Sequence, residues 1–310
     1  MKTAIVTGAT GLIGTALLRE LVANNYHVFA LVRSPGTGVP LDLANVTEIV
    51  CDLAELSTLP LTHPELAQLD PSPLFFHLGW AGVWGPERTA VTLQLDNIKW
   101  TVDAIDVAAQ LNCARFVGIG SIWEFGVAET LAQSGERPGP NDIYGAVKLT
   151  SRMLGKMAAH NAGIAALWAL PVGVYGPGDT SPGVVNYAIQ SCINDTPAQF
   201  SAGTQNFDVL YLTDVARAIR LVGERGKPFH EYVLGSGQAG PLRDFLTGIR
   251  AALNPGLPIE FGVEPFKGVN IPLEAYDISS LTSDTGFVPE VSFPDGVKAA
   301  AAWIAQNNKA

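Results

Sequence analysis

Residues 2–14 read KTAIVTGATGLIG, and this stretch decides the fold. Lys2–Thr7 is a short apolar run rich in residues that favour strands. It is followed at once by three glycines (Gly8, Gly11 and Gly14) and then by the helical pattern Leu12–Asn24. A strand that turns through glycines into a helix leaves backbone N–H groups free at the helix N-terminus, where the helix dipole favours an anion. The first glycine suits the tight turn, the second a close approach of phosphate, and the third close packing of helix on strand. The expected ligand is therefore a dinucleotide, its pyrophosphate cradled by Gly8, Thr10, Gly11, Leu12, Ile13 and Gly14.

Outward from this loop, strands and helices alternate. His27–Val32, Val46–Cys51, Leu74–Leu78, Phe116–Ile119 and Ile164–Val172 are expected as strands. Helices are expected from about Thr89 to Leu111 and over Tyr144–Asn161. Strands apolar on both faces and separated by helices predict a doubly wound parallel sheet of Rossmann type, an α/β fold. After Pro177, Pro and Gly become frequent and the alternation loosens. Residues 1–176 are thus expected to form the dinucleotide-binding domain, with returns near 214–235 through a helix at Asp214–Gly223 and a strand at Glu231–Leu234. Residues 177–310 are expected mainly to cover the substrate.

Composition narrows the function classes. A chain of 310 residues with 47% hydrophobic and 15% charged residues is globular rather than disordered. Its net charge of −10 repels phosphate backbones, which disfavours nucleic acid as a partner. The longest apolar stretch, Ala162–Tyr175, is interrupted by Gly163, Pro171 and Gly173 and is too short for a membrane span. A cytoplasmic protein is expected. Cys51, Cys113 and Cys192 show no metal-type spacing and are expected as buried small hydrophobes. The five histidines form no HxxxH pair, so no metal is expected.

The chemistry is expected from three residues. Tyr144 and Lys148 stand at i, i+4, which puts both on one helix face. A phenol with an ordinary pKa near 10 relays protons poorly at neutral pH, and a neighbouring ammonium lowers that value. Ser121, 23 residues before Tyr144, follows a strand end, where ligands sit in such sheets. Its hydroxyl can hold a substrate oxygen as charge develops there. The set points to hydride transfer with a nicotinamide cofactor. An acid at the end of the second strand would hold a ribose 2′-hydroxyl. The sequence has Arg33 and Ser34 instead, with Arg33 19 residues after Gly14, so NADP(H) is expected over NAD(H).

These motifs together resemble the extended short-chain dehydrogenase/reductases, the NAD-dependent epimerases and dehydratases. The resemblance runs from the glycine loop through Cys51-Asp52-Leu53, His77-Leu78-Gly79, Asn97, Ser121, Tyr144, Lys148 and the run Val174–Gly178 to Phe287-Val288-Pro289. It implies that Asp52 and Leu53 flank the adenine, that Leu78 and Gly79 line the cofactor, that Pro171 lies near the nicotinamide, and that Asn97 is a structural or proton-relay residue. Within the family, the run His77–Gly82, Gly120-Ser121 with Glu124-Phe125-Gly126, and Gln205, Asp208 and Tyr211 are similar to nucleotide-sugar 4-ketoreductases such as CDP-abequose synthase. That branch implies a substrate site with Trp80, Trp123, Glu124 and Tyr175, and Trp84 beside them. It also implies a homodimer through the helices Thr89–Leu111 and Tyr144–Asn161.

Two positions depart from the diphosphosugar pattern, since Phe207 and Leu170 stand where arginines are common. Arg88, Arg217 or Lys267 are the candidates to supply that charge. The expected activity is reduction of a keto group on a nucleotide-activated deoxysugar. The rivals are an NAD-dependent epimerase, a dehydratase with Glu124 as its only acid, a reductase of a non-nucleotide ketone, and a cofactor-binding sensor.

Overall fold

The computed structural model describes residues 1–36, 43–69, 71–132 and 139–307. Seven strands make one wholly parallel sheet: β1 (Lys2–Thr7), β2 (Tyr26–Val32), β3 (Val46–Val50), β4 (Leu74–His77), β5 (Arg115–Ile119), β6 (Ala166–Pro171) and β7 (Glu231–Leu234). Their order is β7-β6-β5-β4-β1-β2-β3. The strand order reverses between β1 and β4, and in such sheets ligands bind outside the carboxyl ends of the strands at this point. The doubly wound α/β fold expected from the alternating pattern is the fold observed.

Helices cover both faces. Helix α1 (Leu12–Ala23) and a late helix, Leu212–Arg225, bury Leu17, Leu18, Leu21, Ala218, Ile219 and Val222 on one side. Helices α2 (Val91–Gln110) and α3 (Pro140–Ala162) lie on the other, with Ala104, Ile105, Ala108 and Ala159 in the core. The helix α3 starts four residues before Tyr144, earlier than the apolar period alone indicates. The signal is Asp142, whose carboxylate accepts the Gly139 N–H at 2.7 Å and closes the first turn. Beyond the sheet, Tyr175, Val185, Ile189, Phe245, Leu246, Val297 and Ile304 form a separate core among the later helices.

One side chain seats α3 on the sheet. Trp168, on β6, is almost fully buried and lies over Gly118 of β5 and under Gly155 of α3. A Cβ would come within 2.7 Å of the indole at Gly118 and within 2.6 Å at Gly155, so both positions must be glycine for the tryptophan to fit. Of the three cysteines, only Cys113 is buried; Cys51 and Cys192 are half-buried, because each lies at the edge of its apolar cluster. Among the described residues no helix is long and apolar enough to cross a membrane.

The glycine loop has a strict packing requirement. Gly8 has φ +66°, and a Cβ there would lie 2.6 Å from the Gly79 nitrogen. At Gly14 a Cβ would lie 2.1 Å from the Gly8 carbonyl oxygen. Gly14→Ala is therefore expected to destabilise the fold by about 1–3 kcal/mol through overpacking. The midpoint of urea unfolding measures this, and an unchanged midpoint would show that the loop yields freely.

Candidate active site

The loop Gly8–Gly14 closes on itself through Gly11 N–H to Gly8 carbonyl (3.1 Å), and α1 opens with no side-chain cap and no acid in its first turn. The orphan N–H groups at this N-terminus are the donors that an anionic ligand would satisfy. Gly11 and Thr10 are exposed, Leu12 and Ile13 half-buried. A Cβ at Gly11 would make only an ordinary 3.4 Å contact, so that face of the loop is open. Gly178, at φ +92°, brings the 174–178 loop down to Leu12. Among the described residues no cluster of His, Cys, Asp and Glu could hold a metal.

A buried chain of hydrogen bonds ties the ends of β1 and β4 to α2. Gly79 N–H donates to Thr7 Oγ1 (3.0 Å), which is 2.9 Å from His77 Nδ1; because Thr101 spends its proton on the Asn97 carbonyl, the imidazole carries its proton on Nε2 and Nδ1 accepts from Thr7. His77 Nε2 then donates to Thr101, and Thr101 to the Asn97 carbonyl. Burial, aided by the Lys148 charge, holds the imidazole down at about 3, so it is neutral. Asn97 grips the Ala81 backbone at both ends, Oδ1 accepting its N–H (2.8 Å) and Nδ2 donating to its carbonyl (2.9 Å). This is a positioning contact for the loop after β4. Leu53 packs against Gly79, where a Cβ would lie 2.8 Å from its methyl, and Asp52 caps the turn that follows it by accepting the Ala54 N–H. Leu78 N–H donates to the Thr7 carbonyl, and Pro171 is buried at the end of β6 beside Leu234. Arg33 and Ser34 stand exposed directly after β2.

Ser121, Tyr144 and Lys148 come together because α3 touches the turn after β5. A Cβ at Gly145 would lie 2.5 Å from the Trp123 carbonyl oxygen, so only glycine allows this approach. Lys148 Nζ donates to the Ile119 carbonyl at the end of β5 (2.9 Å) and sits 3.4 Å from the centre of the Trp80 ring. Trp80 is held by Gln94 through its indole N–H and meets Tyr144 edge-on at 6.1 Å. Ser121 is buried and caps the short turn Ile122–Phe125, its Oγ accepting the Trp123 N–H (3.3 Å). Burial pushes Tyr144 up to about 12, against the pull of the nearby Arg88 charge. Burial also pulls Lys148 down to about 7, although Glu124 opposes this.

Several expected substrate residues are placed elsewhere. Glu124 points inward: its carboxylate accepts the Ser121 N–H (3.0 Å) and pairs with Arg152 at 2.6 Å, with only 1% of its side chain exposed. Gly120 makes room for it, since a Cβ there would lie 2.3 Å from Glu124 Oε1. Arg152 continues the chain to Glu231, which also pairs with Lys156. Tyr175 lies in the core of the second lobe, edge-on to Tyr211 and Phe293, because its ring completes that apolar cluster. Trp123 is half-buried against the main core, and Trp84 is exposed. Phe207 packs edge-on to Phe245, and Leu170 is fully buried against Gly120, so both departures fill apolar space. Arg217 is engaged by Asp214, Glu290 and the Val288 carbonyl. Arg88 is buried on Tyr144, while Lys267 is exposed. The contact of Arg88 with Tyr144 has no signature in a linear reading, because 56 residues of chain separate the two.

A glycine-cradled helix N-terminus beside a Ser-Tyr-Lys set at the carboxyl ends of parallel strands defines an enzyme of the extended short-chain dehydrogenase/reductase class. The family model described as the NAD dependent epimerase/dehydratase family matches residues 4–235, and the chain belongs to that family. It is similar to a dTDP-4-dehydro-6-deoxy-D-allose reductase of Streptomyces sp (25% identical; 97% of this chain and 96% of the relative). A CDP-abequose synthase of Salmonella typhimurium is also 25% identical, over 95% of each chain. Among solved structures, UDP-glucose 4-epimerase from Thermotoga maritima with UDP-glucose shares the fold, with a TM-score of 0.78, 20% identity and 99% of each chain covered.

Lys148 links the site to stability. In the fold it holds its proton only up to about 7, and unfolded up to its ordinary value of 10.5. Between those values the unfolded chain binds more protons, so this group makes the fold more stable as pH rises from about 7 to 10.5. Lys148→Met is expected to flatten that rise. Unfolding midpoints across this range, compared with the wild type, check it, and parallel curves would contradict the burial of a titrating ammonium.

Proposed function

We propose that this chain reduces a keto group on a nucleotide-activated deoxysugar, with NADPH as the preferred cofactor. The observation that carries the reading is the placement of Tyr144 beside Lys148 on the helix that packs on the Ser121 turn. A phenol so placed can give its proton to a carbonyl oxygen as hydride reaches the carbon. Both relatives named above are called by reductase or synthase activities on 6-deoxy or CDP-linked sugars, and this supports the substrate class.

The open-faced loop Gly8–Gly14 fits a dinucleotide, with Leu53, Leu78, Gly79 and Pro171 beside it and Arg33 and Ser34 where a 2′-phosphate would lie. Bound there, the cofactor supplies the hydride. Tyr144 gives its proton to the substrate oxygen, Ser121 holds that oxygen by hydrogen bond, and Lys148 favours the phenolate left behind. Trp80 walls the site beside Tyr144 and offers an aromatic face to a sugar.

An assay of purified protein against a panel of keto-sugar nucleotides, with NADPH and NADH compared, tests this reading. Net NADPH consumption is expected, and Tyr144→Phe should lower turnover by about 10²–10⁴-fold while leaving cofactor binding nearly intact. Isomerisation of a nucleotide sugar without net cofactor use would replace the reductase with the epimerase reading. Activity on free ketones alone would remove the nucleotide sugar.

The proposal extends to a homodimer through α2 and α3, whose outer faces leave Val91, Leu95, Met153, Leu154 and Met157 exposed. Exposed apolar side chains on two adjacent helices are what an interface between copies would cover. Light scattering should give twice the chain mass, and Leu95→Glu with Met153→Glu should give a folded monomer. A monomeric wild type would refute this interface.

A further inference from the structure

The loop between β4 and α2 carries a cation into the interior. Arg88, in the short turn Pro86–Thr89, is only 7% exposed. Its Nη1 donates to the Val83 carbonyl (2.5 Å) and its Nη2 to Asn141 Oδ1 (2.9 Å), the latter at the start of α3. Its Nε is enclosed and has no hydrogen-bond partner among the described residues. The guanidinium carbon lies 3.8 Å from the centre of the Tyr144 ring and 5.6 Å from that of Trp84, which closes the outer side. Burying a guanidinium with an unsatisfied N–H costs free energy that a leucine in the same place would not. What the arginine adds is a charge on one aromatic face.

We propose that Arg88 is a positioning residue for Tyr144, supplying the fixed positive charge that makes the phenol a usable proton donor and acceptor. Three charged groups face Tyr144: Arg88 from the loop after β4, Lys148 from its own helix, and Glu124 from the turn after β5. Lys148 Nζ is 5.7 Å from the ring centre, and is engaged by the Ile119 carbonyl and the Trp80 face. Its own proton is shed near neutrality, so its charge on the phenol fades as pH rises. Glu124 opposes a phenolate, and Arg152 and the Ser121 N–H hold it in place. Arg88 keeps its charge throughout the working range. A cation on an aromatic face gains more when the ring becomes electron-rich, as it does on losing the phenolic proton. Arg88 is thus the main opponent of the burial that drives Tyr144 upward.

The consequence for turnover rests on the reading of Tyr144 as proton donor, so the test reads the phenol itself. Full-length protein labelled with 3,5-difluorotyrosine, whose more acidic phenol brings the midpoint down to pH values at which the protein stays folded, is titrated by fluorine NMR, and the Tyr144 resonance is assigned by its loss in Tyr144→Phe. In Arg88→Met the midpoint of that resonance should rise by about one unit or more, and Arg88→Lys should recover part of the shift. Asn141→Leu, which frees one edge of the guanidinium and leaves its charge, should shift the midpoint in the same direction by less. That variant decides the matter should Arg88→Met fail to fold. An unchanged midpoint in a folded variant overturns the proposal, as does an unchanged midpoint with a raised KM for nucleotide sugar, which would make Arg88 a phosphate grip. A shifted midpoint in protein that reduces no keto sugar leaves Arg88 in this role and removes the substrate reading instead.

Discussion

The site depends on one close approach, that of α3 to the turn after β5. Gly145 is what permits it, because any side chain there would be driven into the Trp123 carbonyl. Trp168 sets the height of the helix on the sheet, wedged between Gly118 and Gly155. Lys148 then reaches the Ile119 carbonyl and locks the helix against the strand end. Three glycines, each facing a particular bulky or polar neighbour, thus turn a common helical pair into an arrangement shared with Ser121. Interiors are close-packed, so these contacts leave little room for adjustment.

Around this contact the structure buries charge on a scale that packing alone does not explain. Arg88, Glu124 and Lys148 all lie below a tenth exposed, within the same neighbourhood. Glu124 has Arg152 and a backbone N–H for partners, Lys148 has a carbonyl and an aromatic face, and Arg88 has two acceptors and Tyr144. Removing one member leaves another uncompensated, which is why such groups act as a unit. Lys148, which sheds its proton near neutrality, and Arg88, which keeps its charge, divide between them a task that the helical spacing alone assigns to the lysine.

The far side of the site is the less conventional half. Phe207 and Leu170 fill apolar space where a diphosphate grip is common in this family, and Arg217 is committed to Asp214 and Glu290. With Arg88 stacked on Tyr144, the exposed Lys267 is the candidate left from the set that the sequence suggested. The region after the sheet also has its own core, into which the Tyr175 ring is packed.

Periodicity and glycine placement determined the doubly wound sheet, the glycine turn from β1 into α1 and the placing of Tyr144 and Lys148 on one helix face, because each is written in residues close together in the chain. A strand has a period of two, a helix a period near 3.6, and a glycine turn needs only its neighbours. The inward turn of Glu124, the burial of Tyr175 and the seat of Arg88 on Tyr144 were decided only in three dimensions. The rotamer of Glu124 depends on the missing Cβ of Gly120 and on Arg152, 28 residues away. Arg88 and Tyr144 meet because Asn97 and Gln94 tie the loop after β4 to α2, and Asn141 at the start of α3 accepts from Arg88 itself. Contacts of that kind are set by which elements pack together, and a linear pattern holds no record of them.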